Sequence, residues 1–386
     1  MKCEQTIFKG RKAVRLGNDV FEVITLTGGG HIASLRLPDS NINPLWEPPW
    51  PSIEPEQYNE EEHVEIYGTG EGRLLSSLAG HSLCLNHFGD LSDAEVAAKG
   101  YFHGEASNLP WTIFELSTEN GKAFLDYGLE LPDAHMDFRR VLEIRPGEST
   151  LYFNERTTNT ARHDSPLFYQ QHVTYGPPFV QGGVTQIHLP ARRGHTFPSS
   201  IDESDPYLPN KEFEWPKAPL QTGDTRDVRV FPDKRYMSVL SVLLEPESEN
   251  AFTAVWNADH GLLVLYVFPW EIFPWTALWY ENQAAEFLPY NNRTIAWGIE
   301  FGTVPTPINR MDTLTAGPLF DKPRFATLAA KETLDISYQV TLLKIPENWQ
   351  GVAGIQYEQG EIIVREVGSS RTINQTSNGD VSARRI

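Results

Sequence analysis

The sequence predicts an all-β fold carrying one or a few short helices. Three observations predict it. Gly (29) and Pro (28) are spread along all 386 residues, so turns are frequent. Aromatic residues are plentiful (Trp 10, Tyr 14, Phe 20), and they suit pleated, half-buried surfaces. Segment after segment alternates apolar and polar residues with a period of two, as strands with one buried face do. Short strands joined by turns are the reading that accommodates all three.

Taken in order, residues 20–26 read as a strand and Thr27-Gly28-Gly29-Gly30 as a turn that glycine makes easily. Residues 31–37 alternate again. Residues 44–51 hold two Trp and four Pro and read as loop. Residues 52–65 carry Glu54, Glu56, Glu60, Glu61, Glu62 and Glu65, a solvated acidic face. The glycines of 67–73 do not have G-x-G-x-x-G spacing, and no strand–loop–helix context surrounds them. Ser92 stands three residues before Glu95, a capping box, and Gly100 closes the short helix that follows. Strands at 138–144 and 149–155 flank the turn Arg145-Pro146-Gly147-Glu148, a hairpin signature. A strand at 168–175 ends in Gly176-Pro177-Pro178. Residues 195–230 lack periodicity and read as a long surface excursion, the kind of segment that often lines sites. Strands resume at 237–244 and 262–268, and an aromatic stretch covers 269–282. The apolar strand 294–299 delivers Glu300 where it gives way to a loop broken by Gly302, Pro305 and Pro307. A late strand covers 334–345. The expected organisation is one domain over residues 1–350 and a C-terminal extension over 351–386, its last part (369–386) loosely ordered.

The net charge of −19 argues against nucleic acid and anionic membranes as partners. Cys3 and Cys84 cannot build a disulfide framework. The first residues lack the apolar core of a secretory signal, and no apolar run approaches the length of a membrane span. A cytoplasmic location is expected. His81, His87, His103 and His172 sit near glycines and prolines, without the close spacing of zinc ligands, and Cys84 has no neighbouring Cys. No metal and no cofactor are therefore expected. No G-x-S-x-G nucleophile motif occurs.

A lone acid at the end of an apolar strand is costly unless it is partnered or used. In a partly desolvated pocket its pKa rises toward the working pH, as a general base requires. Glu300 fits that description, and so does a strand-end Glu that accepts backbone hydrogen bonds. Trp270, Trp275, Trp279 and Tyr280 suit stacking on a sugar ring, although core packing explains at least two of the four. Glu281 with Glu300, or Glu271, would supply the carboxylate pair of a glycosidase.

With these residues in view, the chain resembles the aldose 1-epimerase, or galactose mutarotase-like, superfamily. Gly28-Gly29-Gly30-His31-Ile32-Ala33-Ser34-Leu35 looks like the family's early "GG-x-I-x-S/A-L" strand. His103-Gly104 with Ala106 and Trp111 is similar to the "H-G…W" segment. Asn159 followed by His172-Val173-Thr174-Tyr175 resembles "N…H-P-Y-F". Glu300, Pro305 and Asn309 reproduce the "E-x-x-x-x-P-x-x-x-N" spacing. The resemblance spans residues 20–345. Val173 departs from the family's Pro. Ser107 stands where the sugar-phosphate branch has an Arg, which argues against a phosphorylated substrate.

The resemblance implies a large antiparallel β-sandwich with a sugar cleft, no cofactor, and interconversion of α and β anomers of a free sugar. Glu300 would be the general base and His172 the general acid, on opposite sides of the hemiacetal. Their ordinary pKa values, about 4.3 and about 6.5, suit those roles. His103 would bind the sugar, with His87, Arg73, Trp279 and Glu281 as further binding candidates. Two other classes compete: a non-catalytic carbohydrate-binding protein on the same fold, and a glycan hydrolase or lyase using Glu281 and Glu300. Glu300 and His172 facing each other across a sugar-sized gap would separate the epimerase from the binding protein, and two carboxylates within about 10 Å would mark the glycan-cleaving enzyme.

Overall fold

A computed structural model describes residues 1–358 and 360–386. Two large antiparallel sheets pack face to face. The first has eleven strands, running edge to edge as Lys2–Phe8, Arg11–Gly17, Glu22–Leu26, Ile32–Arg36, His81–Leu85, Tyr169–Tyr175, Ile295–Gly302, Trp275–Asn282, Met237–Leu244, Ala191–Thr196 and Glu212–Glu214. The second runs Gln186–His188, Asn250–Asn257, Leu262–Pro269, Thr333–Lys344, Thr150–Asn159, Met136–Ile144, Lys122–Leu131 and Thr112–Glu119, and Ser382–Arg385 pairs with Thr333–Lys344. The expected hairpin at Arg145–Glu148 joins two neighbours of this sheet in register.

The main core lies between the sheets. Val173, Tyr175, Leu278, Tyr280, Trp297, Ile299 and Phe301 from the first meet Leu142, Phe153, Val264, Tyr266, Phe268 and Val340 from the second. Side chains alternate along a strand, so these choices decide what the other face presents. With Trp297, Ile299 and Phe301 turned inward, Ala296, Gly298 and Glu300 face out. With Val173 and Tyr175 inward, His172 and Thr174 face out. Val173 packs in this core.

A polar network crosses the core behind His172. Arg140 Nε donates to Glu155 Oε1 at 2.6 Å, and both side chains are fully buried. Glu155 also accepts from Gln171 Nε2 at 2.8 Å, from Tyr338 Oη at 2.8 Å and from the Tyr169 hydroxyl. Buried charge is tolerated here because each oxygen is satisfied.

The outer face of the first sheet is covered by loops and short helices, which include residues 52–65, expected to be a solvated acidic face. The acidic stretch forms a helix, Glu60–Tyr67, capped by Asn59, and Gly72–Ser77 forms another. Tyr67, Leu74, Leu75 and Leu78 pack with Trp46, Trp50, Met237, Tyr290 and Ala296 on that face. The predicted capping box is present: Ser92 and Glu95 exchange hydrogen bonds at the start of Asp93–Ala97. The outer face of the second sheet is covered by a three-stranded meander, Val352–Glu358, Glu361–Glu366 and Thr372–Thr376. Trp349, Ile362 and Val364 pack there on Trp256, Leu265 and Val267. Residues 369–386, expected to be loosely ordered, thus contribute two strands. No helix among the described residues is long and apolar enough to cross a membrane.

Candidate active site

Two adjacent central strands build the site. Tyr169–Tyr175 and Ile295–Gly302 are antiparallel, and the pairs Gln170↔Gly302, Gln171↔Phe301 and Thr174↔Gly298 set their register. That register carries His172 directly opposite Glu300, with both on the outer face. Neighbours across two strands have Cβ atoms about 5 Å apart. Accordingly His172 Nε2 lies 3.3 Å from Glu300 Oε1. The strand continues to Gly302, so Glu300 sits inside it rather than at its end as expected. Gln170 Nε2 donates to the Glu300 carbonyl at 2.7 Å and fixes the backbone there. Gly298 leaves room for the carboxylate: a Cβ at this position would come within 2.3 Å of Glu300 Oε1.

Both members of the pair are nearly inaccessible, Glu300 at 2% and His172 at 4% exposure. Burial penalises the charged form of each. It pushes the Glu300 carboxyl well above the usual carboxylate range, and it holds the His172 imidazole down at about 4. Burial thus disfavours an ion pair, favouring the neutral imidazole and the protonated carboxyl. His172 Nδ1 lies 3.1 Å from Thr174 Oγ1, which leaves Nε2 to face Glu300. The expected arrangement, acid and base on opposite sides of the sugar, is not what the strands build. The two groups touch, side by side on one wall, because they are cross-strand neighbours.

The pair lies in a cleft of about 380 Å³, within the range of small-molecule sites. His103 and Trp279 line the same cleft. The His103 ring lies 5.2 Å from that of His172 and stacks on Phe88 at 5.5 Å. Its Nδ1 accepts the backbone N–H of Gly89 at 3.0 Å, which assigns the proton to Nε2 and makes that nitrogen a donor. Burial keeps the ring neutral, and the neighbouring His172 and His87 act in the same direction. The Trp279 ring lies 6.2 Å from His172. The excursion contributes Phe197, Ser199, Ser200 and Ile201 to the wall.

The remaining binding candidates lie elsewhere. His87 turns away, its Nε2 within 3.0 Å of the Gly89 and Asp90 carbonyls, and fixes the loop that holds His103. The Arg73 guanidinium lies over the rings of Tyr58 (5.5 Å) and Tyr101 (5.6 Å) and lines a neighbouring cleft. Glu281 shares a strand face with Trp279, but its carboxylate accepts the N–H groups of Ala284 and Ala285. Glu281 pairs with Ala296, four residues from Glu300, which at about 3.3 Å per residue separates the two by about 13 Å along the strands. Held by those N–H groups, Glu281 does not line the cleft that holds Glu300. Glu271 does not line the cleft either. Two acids that sequence reasoning passed over do line it, Glu71 and Asp90. Burial, reinforced by the charge of Asp90, raises Glu71 to about 7.

Ser107 is buried, and its Oγ donates to the Leu83 carbonyl at 2.7 Å, so it turns into the scaffold and not toward a ligand. Neither Lys nor Arg lines the cleft. Among the described residues no group of three His, Cys, Asp or Glu converges as metal ligands would.

No protein-family model matches the chain, and no curated protein matches it by sequence. Solved structures do match its fold. A candidate aldose 1-epimerase from Klebsiella pneumoniae is 16% identical with a TM-score of 0.66, the match covering 89% of this chain and 83% of that one. A galactose mutarotase-like protein from Clostridium acetobutylicum is 15% identical with a TM-score of 0.59, covering 88% of this chain and 97% of that one. A candidate aldose 1-epimerase from Escherichia coli is 12% identical with a TM-score of 0.54, covering 89% and 100%. At these identities the likeness speaks for architecture, and in architecture the chain is a galactose mutarotase-like β-sandwich.

Proposed function

We propose that the protein interconverts the α and β anomers of a non-phosphorylated aldose by acid–base ring opening. The observation that carries this reading is the contact of Glu300 and His172 at 3.3 Å inside a cleft of sugar size. The candidate epimerases and mutarotases that share the fold support it.

Ring opening removes a proton from the anomeric hydroxyl O1 and delivers one to the ring oxygen O5. The C1–O5 bond breaks as the C1=O1 double bond forms. Rotation about C1–C2 and the reverse steps close the ring from the other face. O1 and O5 are bonded to the same carbon, so the two proton-transfer groups must be neighbours. A cross-strand pair meets that need as well as two opposed walls would. Passing the Glu300 proton to His172 Nε2 across their contact sets the roles: Glu300 then takes the O1 proton and His172 gives its own to O5. The pair starts and ends with one proton, so no net charge has to be created in a buried site. The Nε2–H of His103 donates to a sugar oxygen, and Trp279 covers an apolar ring face. The absence of Lys and Arg from the lining fits a sugar without phosphate.

The test is NMR saturation transfer between α and β anomeric protons over a panel of free aldoses. Wild type should accelerate exchange of at least one sugar. Glu300→Gln and His172→Ala should each lower that rate by about 10²–10⁴. Unchanged exchange in both variants would refute the assignment.

A further inference from the structure

The cleft above Glu300 and His172 does not end where one sugar ring would. At Glu71, Leu74, Leu75, Phe102 and Phe287 it meets a second cleft of about 1650 Å³, several times its own size. These residues line both spaces, so the two adjoin. The outer cleft has the features of a carbohydrate groove. Phe287 is 50% exposed at the junction, and its ring packs on Tyr290 (5.1 Å), which lines the inner cleft. Tyr58 and Tyr101 stand further out, held by the Arg73 guanidinium between them. Flat aromatic faces and carboxylate acceptors (Glu56, Glu62, Asp90) are the groups that take up sugar C–H faces and hydroxyls. Arg73, engaged with the tyrosines, and Lys99 are the cations among the lining residues.

We infer that the protein acts on the reducing end of a neutral oligosaccharide, with the reducing sugar in the inner cleft and the next sugars in the outer one. This rests on the proposed anomer interconversion. It adds a linkage preference. In a pyranose, C4 lies across the ring from C1. With C1 over the Glu300–His172 pair, a substituent on O4 leaves through the junction at Phe287. A 4-O-linked chain therefore fits where a free monosaccharide leaves the outer cleft empty.

Exchange would be measured for glucose, cellobiose, maltose, galactose and lactose at equal concentrations. Wild type should show a kcat/KM at least tenfold higher for a 4-linked disaccharide than for the matching monosaccharide. Tyr101→Ala should collapse that ratio toward one. Val96→Trp, which fills the outer cleft from an exposed position, should do the same in a folded protein. Monosaccharide exchange with no gain from extension overturns the inference and leaves the anomer reading intact. A gain that survives both variants also overturns it. Should no sugar exchange faster, calorimetry with cellotriose and glucose decides. Tenfold tighter cellotriose binding, lost in Val96→Trp, keeps the outer cleft as a glycan subsite while the acid–base reading falls. Equal affinities defeat both.

Discussion

Glu300 owes its position to an atom that is missing two residues earlier. A methyl at Gly298 would approach the carboxylate to 2.3 Å and the Trp279 Cβ to 3.0 Å. The carboxylate is the end of a rotatable side chain and moves before the backbone does. Gly298→Ala is therefore expected to lower anomer exchange tenfold or more while the thermal midpoint falls by only a few degrees. Parallel activity and melting assays check this. The pair also sets the acid limit. Burial holds His172 at about 4, so below that pH the imidazole is protonated beside a protonated carboxyl and neither group can take the O1 proton. The rate should hold across neutral pH and fall below about pH 4, provided the fold survives. Glu281 makes a different prediction. Burial raises its carboxyl to about 7 against an ordinary 4.5, in spite of the two N–H groups it accepts. A raised folded-state value means stability that is fully present below about pH 4.5 and is lost as pH rises through 7. The loss is on the order of 3 kcal/mol. In Glu281→Gln that decline between pH 5 and pH 8 should flatten, as read from denaturant midpoints.

At the scale of elements, the strands that carry chemistry were legible because each interrupts an apolar pattern. His172 and Glu300 are the polar outward positions of strands whose inward positions are Val173, Tyr175, Ile299 and Phe301. What the pattern could not supply was direction within a loop. Arg73 and His87 have the right residue types beside the right glycines. A pair of tyrosine rings took the first and two carbonyls took the second. The helix Glu60–Tyr67 was hidden because it is short and acidic and buries only Tyr67. No apolar pattern around Glu71 and Asp90 singles them out, and only the folded cover turns them into the cleft. The His172 strand is also fixed from behind, since Gln171 bonds the buried Glu155. Glu155→Gln leaves Arg140 uncompensated in the core and should cost about 3–5 kcal/mol in a denaturant titration.

The whole molecule is a sandwich whose two outer faces are both roofed, and the two roofs differ in kind. One is a set of loops and short helices that leaves clefts open over Glu300 and His172. The other is the C-terminal meander, which seals Phe252, Trp256, Leu265 and Val267 under Trp349, Ile362 and Val364. Removing residues 347–386 should uncover that apolar face and cause self-association, visible as a rise in mass by light scattering. Charge acts at this scale too. A net charge of −19 surrounds a cleft that has no cation in its lining, so an anionic sugar meets repulsion both on approach and at the site.

His172 and Glu300 are neighbours in space and strangers in sequence, separated by the whole middle of the chain. They meet only when the strand Ile295–Gly302 slots between two strands that precede it. Such non-local pairing is slow to form, because a long loop must close first. A growing chain on the ribosome thus holds its cleft walls and its histidine well before it holds its carboxylate. Activity would appear last during folding, and a half-made molecule would be inert toward any sugar it met.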